Sequence, residues 1–330
     1  MEAIYQRGTR VTVPELQSRD QMLNILQEEE YGFLPGKPEK LSFTKEENFI
    51  QGFCAGKAAC DRITAHIQLN GKPFSFPFYC VLPAKKERLP FFVHINFGPE
   101  IPHRYMPTEE LVDEGFAIFS FDYNDVTRDN ADFTDGLAGV IYGDDASKDG
   151  FCRKPSDPGK IALWAWAAMR VMDYAETLGD KLDFTKSVIC GHSRLGKTAL
   201  LCGALDERFA YVHSNDSGCS GAAITRGKMG ERVRHICERF PFWFCENYQQ
   251  YIDREDQMPF DQHYLLASIA PRHVLAASAS EDLWADPEAE KLGIELASGV
   301  FPEGHAAHYV REGLHYFSRD DWHHLIRFVE

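Results

Sequence analysis

Five short runs of strand-forming residues do most to limit the folds open to this chain: 91–97 (FFVHINF), 116–122 (FAIFSFD), 187–190 (SVIC), 211–214 (YVHS) and 273–277 (HVLAA). They alternate with longer helical patterns, which is how a parallel sheet with crossover helices reads. The segment 160–178 (KIALWAWAAMRVMDYAETL) has apolar residues at helical spacing and a run of strong helix formers, so it should pack against the sheet, with Trp164 and Trp166 as core residues. The pattern predicts a doubly wound, three-layer αβα sandwich with a mostly parallel central sheet. Each run ends in, or is followed by, polar or glycine residues, and a parallel sheet carries its chemistry at those ends.

The remaining segments are less patterned. Residues 14–31 read as a helix, and 64–69 with 74–81 as antiparallel strands. The aromatic segment 220–266 lies between two strands and is expected as an insertion over the catalytic edge, where insertions shape substrate sites. No linker, charge block or repeat marks a boundary, so residues 1–330 are expected to form a single domain; 44% hydrophobic residues are ample for one large core. A net charge of −15 argues against a nucleic-acid partner, which would require clustered Lys and Arg. No run approaches the roughly 18 apolar residues of a membrane span. The opening MEAIYQRGTRVTVPELQSRD lacks the apolar stretch of a secretory signal. The expectation is therefore a cytoplasmic protein as written, or a secreted one if a leader has been trimmed. The nine cysteines show no CxxC pair or zinc-type spacing, and Cys190 and Cys202 read as reduced core residues.

The sharpest local signal is 187–200 (SVICGHSRLGKTAL), where an apolar strand reaches Gly191, a serine follows two residues later and a helix begins at once. Such an elbow holds a hydroxyl clear of the sheet and places the next backbone N–H, that of Arg194, where it can stabilise an oxyanion. The usual pattern is Gly-x-Ser-x-Gly; here the second glycine is displaced by one, to Gly196. The competing reading of Ser193 is an ordinary helix N-cap. The Gly-Lys-Thr that follows is too short a segment for a phosphate-binding loop.

A serine nucleophile needs a base, and the base needs an acid to fix its tautomer. On this kind of sheet the order along the chain is Ser, acid, His. His315, in the loop REGLHYFSRDDW before the last helix, fits as base; His305, His308, His323 and His324 read as surface or supporting residues. Two acids fit, Asp216 in SNDSG and Asp282 in SASEDLWADP, and the alternative for each is a loop carboxylate capping a turn. No His/Asp/Glu group has metal-ligand spacing and no glycine-rich phosphate loop follows a strand, so neither metal nor cofactor is implied.

GHSRLGK, SNDSGCSGAA, DQHYLLASIAPR, EDLWADP and GLHYFSRDDW, in this order from about residue 91 onward, resemble the glucuronoyl esterases of carbohydrate esterase family 15, in the α/β-hydrolase superfamily. The resemblance implies hydrolysis of the ester between a 4-O-methyl-glucuronic acid on xylan and a lignin alcohol, through an acyl-enzyme. It implies Ser193 as nucleophile, His315 as base and Arg194 as an added oxyanion cation. Lys197, Glu231 and Trp284 match the sugar-recognition positions. Asp216 stands where relatives often carry Glu, and Asp282 matches the acid position of bacterial relatives; the shorter reach of Asp favours Asp282. Fungal relatives join the neighbours of the catalytic Ser and His by a disulfide, but here those neighbours are His192 and Tyr316, as suits a bacterial-type member. The expected substrate is a glucuronic acid ester or a glucuronoxylan oligosaccharide. Acetylxylan esterase is the nearest alternative, and a non-catalytic carbohydrate-binding relative a more distant one.

Overall fold

The computed structural model describes residues 2–85, 87–148 and 150–330. An N-terminal hairpin, β1 (Glu2–Gln6) and β2 (Thr9–Val13), stands apart from the main sheet. The main sheet contains β3 (Lys40–Glu46), β4 (Ala58–Leu69), β5 (Lys72–Pro83), β6 (Leu89–Asn96), β7 (Ala117–Asp122), β8 (Leu182–His192), β9 (Tyr211–Asn215), β10 (His273–Ala279) and β11 (Ala306–Arg311). Their spatial order is β11-β10-β9-β8-β6-β7-β5-β4-β3. The strands from β7 across to β11 are parallel, while β5, β4 and β3 form an antiparallel flank.

Strand periodicity sends successive side chains to two separate cores. Phe91, Val93, Ala117, Phe119, Ile189, Val212 and Val274 face one core, shared with the helices Arg19–Leu26, Lys160–Thr177, Arg194–Leu205 and His263–Ala267. Phe92, Ile118, Val188, Cys190 and Leu275 face the other, with the helices Thr108–Asp113 and Arg319–Val329. Both faces are covered, which is why these strands read as apolar runs rather than as alternating ones.

Trp164 and Trp166 are buried on the helix Lys160–Thr177. The two leading N–H groups of that helix donate to Phe242 O (2.9 Å) and Trp243 O (3.2 Å), so the 220–266 segment caps it. Cys190 and Cys202 are buried, and all nine cysteines are free thiols. The helix expected over 14–31 is shorter: Ser18 caps it with a reciprocal Gln21 bond, so the α-helix runs only Arg19–Leu26 and is followed by one wide turn, Gln27–Tyr31. Among the described residues, no helix is long and apolar enough to cross a membrane.

Candidate active site

Ser193 follows β8 directly and precedes the helix Arg194–Leu205, with φ 57° and ψ −126°. A serine holds such a conformation at a cost of about 1–3 kcal/mol, and only where its surroundings impose it. Its side chain makes no cap bond to the helix, so the N-cap role weighed above is not the one it plays here. Two close approaches explain the glycines. A Cβ on Gly191 would lie 2.2 Å from the Leu195 carbonyl oxygen, and one on Gly196 would lie 3.0 Å from Ser214 Oγ and 3.2 Å from Asn215 O. The displaced second glycine is thus the residue at which the helix meets the end of β9. The helix begins at Arg194, so its first N–H groups lack intrahelical acceptors and its positive end faces the elbow.

His315 lies between β11 and the last helix, and its Nδ1–H donates to Asp282 Oδ2 at 2.5 Å. Asp282 follows β10 and is 6% exposed, and its Oδ1 accepts the Ala285 N–H at 3.2 Å. Burial pushes the Asp282 carboxyl up, but the hydrogen bond and charge of His315 oppose it, and the net shift is downward. Asp216, after β9, comes near: one ligand-type atom each from Asp216, Asp282 and His315 fall within 4.8 Å of one another. Its oxygens are engaged elsewhere, Oδ1 by the Ala279 N–H (2.7 Å) and Oδ2 by the Tyr316 N–H (3.4 Å). Burial, then the charges of Glu290 and Asp282, raise its pKa to about 9. Of the two acids left open by the sequence, His315 therefore bonds Asp282, and Asp216 ties the end of β10 to the loop that carries His315.

His192 is buried beside Ser193, its ring 4.4 Å from that of His315 and its Nδ1 2.6 Å from Asn215 Oδ1. Burial, then the neighbouring His315, drives its pKa well down, so it stays neutral and does not compete for the proton. The four other candidate histidines have partners elsewhere. His305 bonds Pro271 O, His323 faces Glu110 at 3.5 Å, His324 stacks on Tyr309, and His308 bonds Ser278.

Ser193, His315, Asp282 and Asp216 line a cleft of about 320 Å³ together with Arg194, Lys197, Glu231 and Trp284. Lys197 Nζ donates to Ser217 O at 2.5 Å and lies 3.6 Å from Glu231 Oε2. Trp284, 47% exposed, donates its indole N–H to Glu231 Oε1 at 3.3 Å. The segment between β9 and β10 also lines the cleft with Arg239, Phe240 and Trp243. Phe240 and Trp243 stack in parallel, ring centroids 3.9 Å apart. Arg194 lies over Trp243 at 4.7 Å and is ion-paired with Asp129.

Asp129, Phe240, Trp243 and Glu290 escaped the sequence reading. Glu290 is fully buried and accepts from Gly218 N (2.8 Å), Ser217 Oγ (3.1 Å) and Ser278 Oγ (2.5 Å), pinning the loop after β9. In DPEAEK it looks like an ordinary first-turn helix acid. The aromatic PFWF run of residues 241–244 was the one available signal for the cleft wall.

The fold is that of the α/β-hydrolases: a mostly parallel sheet covered by helices, with the elbow serine at the end of β8. The family model described as glucuronyl esterase, fungi, matches residues 65–303. The chain belongs to this glucuronoyl esterase family, carbohydrate esterase family 15. It is similar to carbohydrate esterase MZ0003 from an unknown prokaryotic organism, 38% identical over 241 residues, 67% of this chain and 55% of that protein. It is also similar to the 4-O-methyl-glucuronoyl methylesterase of Schizophyllum commune, 26% identical over 279 residues, 81% of this chain and 63% of the relative. The chain thus spans less than two thirds of the length of these curated relatives. Among solved structures, it is similar to a promiscuous family 15 esterase from a marine bacterial metagenome, with a TM-score of 0.84, 29% identity and 97% of each chain covered. A glucuronoyl esterase from Solibacter usitatus aligns with a TM-score of 0.79 and 32% identity, over 95% of this chain and 91% of that one.

Proposed function

We propose that this protein hydrolyses esters of glucuronic acid or 4-O-methyl-glucuronic acid, attacking the sugar carboxyl with Ser193 and passing through an acyl-enzyme. The observation that carries the reading is the His315–Asp282 bond, set in the same cleft as a strained, uncapped Ser193. In this mechanism His315 takes the Ser193 proton as the hydroxyl attacks, and then gives it to the departing alcohol. Asp282 holds the imidazole with its Nδ1 protonated and stabilises the imidazolium. The Arg194 backbone N–H and guanidinium oppose the charge that develops on the carbonyl oxygen. Water then repeats the sequence on the acyl-enzyme, releasing the uronic acid and restoring Ser193.

Lys197, Glu231 and Trp284 form a linked set of donors, acceptor and apolar wall suited to a hydroxyl-rich ring. That set supports a uronate over an acetyl substrate, which has no ring on its acyl side to occupy it. The names of the family relatives point the same way. The test is hydrolysis of benzyl glucuronate, an acetylated xylo-oligosaccharide and p-nitrophenyl acetate by the native protein and Ser193→Ala. Glucuronic acid release by native protein alone supports the reading. Serine-dependent activity confined to the acetyl substrates overturns the substrate assignment and leaves the triad standing.

A further inference from the structure

Arg194 is held by something the family motifs do not contain. Its guanidinium pairs with Asp129, which comes from the loop after β7 and lies 65 positions earlier in the chain. The same carboxylate collects two further donors, Trp243 Nε1–H on Oδ1 at 2.6 Å and Tyr123 O–H on Oδ2 at 3.0 Å. Arg194 also lies over the rings of Trp243 (4.7 Å) and Phe240 (5.4 Å), so it is fixed both by charge and by an aromatic face. Its Nε is buried and has no partner among the described residues.

The supports of Asp129 are themselves anchored. Its N–H donates to Asn124 Oδ1 at 3.1 Å. The loop that carries it is clamped by the buried Lys160, whose Nζ donates to Thr127 Oγ1 (2.8 Å) and Asp132 O (2.6 Å). Trp164 Nε1–H adds a bond to Thr127 O at 2.9 Å. Trp243 is held through its backbone by the start of the helix Lys160–Thr177.

We propose that Asp129 is the positioning residue for Arg194. It holds the guanidinium on the Trp243 face, at the edge of the cleft that Arg194 lines together with Ser193, at the cost of part of the cation's charge. The proposal rests on the role given to Arg194 in the proposed function. An arginine free of Asp129 would sample many rotamers and reach the oxyanion in only a fraction of them, whereas a held one is pre-organised before substrate arrives.

The test is a double-mutant cycle on the full chain with Asp129→Ala, Arg194→Ala and the pair, read as kcat and KM for benzyl glucuronate and for p-nitrophenyl acetate. Arg194→Ala is expected to lower kcat/KM by about 100-fold, the scale of one oxyanion donor. Asp129→Ala should lose a similar factor, most of it in kcat, and the pair should lose no more than about threefold beyond either single variant. Asp129→Asn, which keeps the shape and an acceptor, should fall between native and alanine and covers the case in which the alanine variant does not fold. Native-like kcat/KM in Asp129→Asn and Asp129→Ala, or a pair that loses the product of the two single losses, overturns the proposal. Both esters form the same kind of oxyanion, so failure on glucuronate alone speaks against the substrate reading and leaves the cycle readable on the acetate. Arginine side-chain 15N spectra supply a readout independent of turnover. Arg194 Nε–H should give a distinct resonance in the native protein that collapses to the averaged position in Asp129→Ala; an unchanged resonance counts against Asp129.

Discussion

Replacing Asp282 by asparagine separates the two acids near His315 and has a calculable effect. The amide keeps the volume and one acceptor oxygen of the carboxylate but removes the charge that stabilises the imidazolium. It also allows an NH2 group to face Nδ1, which moves the ring proton to Nε2, where the lone pair of the base is needed. In the serine protease template this exchange lowers kcat by about 10⁴, and at 1.36 kcal/mol per decade that is about 5.4 kcal/mol of transition-state stabilisation. The Asp282 carboxylate is 6% exposed and its bond to His315 is 2.5 Å, but the His315 side chain is 42% exposed, so solvent screens part of the interaction and the loss falls at or below the template's. The expected loss here is about 10³- to 10⁴-fold. Asp216→Asn should cost less than about tenfold, because an amide oxygen can still accept the Ala279 N–H and the imidazole keeps its charged partner. The assay is steady-state hydrolysis of benzyl glucuronate at neutral pH, with unfolding curves to confirm that each variant is folded. A loss in Asp216→Asn equal to or larger than that in Asp282→Asn would refute the assignment.

Further outcomes follow from the same geometry. The pKa of Asp216 is raised to about 9 in the fold, so the folded state retains a proton that the unfolded chain releases near pH 4; its contribution is full below that pH and is lost as pH rises toward 9. Asp216→Asn should therefore remove a fall in stability of about 1.4 kcal/mol per pH unit between about pH 5 and 8, measured by urea unfolding at several pH values; an unchanged slope contradicts the burial argument. Glu231→Gln should raise KM for benzyl glucuronate about 10-fold or more, as expected for loss of a charged hydrogen-bonding partner, with p-nitrophenyl acetate turnover unchanged; equal effects on both esters would place Glu231 outside sugar recognition. Gly196→Ala should destabilise the protein by about 1–3 kcal/mol through overpacking, since its Cβ meets Ser214 Oγ at 3.0 Å and Asn215 O at 3.2 Å; chemical denaturation reads this directly, and native stability would show that the helix moves freely there.

The parts of the fold that were legible in the sequence are those whose residues answer to one local rule. Strands β6, β7, β8, β9 and β10 announce themselves because burial on both faces leaves strand-length apolar runs. The helix Lys160–Thr177 does so because apolar residues recur at helical spacing among a run of Ala, Leu and Met. Strand β11 (AAHYVR) and strand β3 (KLSFTKE) were not seen, since each has few neighbours at the sheet edge and carries charges and small residues. The hairpin at residues 2–13 pairs only with itself. Ser193, His315, Asp216 and Asp282 line one cleft, and the strand-turn-helix pattern, the chain order and the loop positions are the local rules that pointed to them. The choice between the two acids was left open with a lean to Asp282, the one His315 bonds, because the pairing depends on how the loops after β9 and β10 pass each other. Asp129 and Arg194 meet through a loop clamped by Lys160, a tertiary fact with no spacing rule behind it. Glu290 was invisible for a related reason: nothing in DPEAEK shows that the helix start is buried against Ser217 and Ser278.

The most direct test of the central claim is the partitioning of a shared intermediate. Methyl, benzyl and allyl glucuronates would each be turned over in the presence of ethanol, and the ratio of ethyl glucuronate to free glucuronate measured. An acyl-enzyme on Ser193 predicts the same ratio from all three esters, since the departing alcohol has left before water or ethanol attacks, and no product of either kind from Ser193→Ala. A ratio that changes with the leaving alcohol, or glucuronate released by the alanine variant, would contradict it.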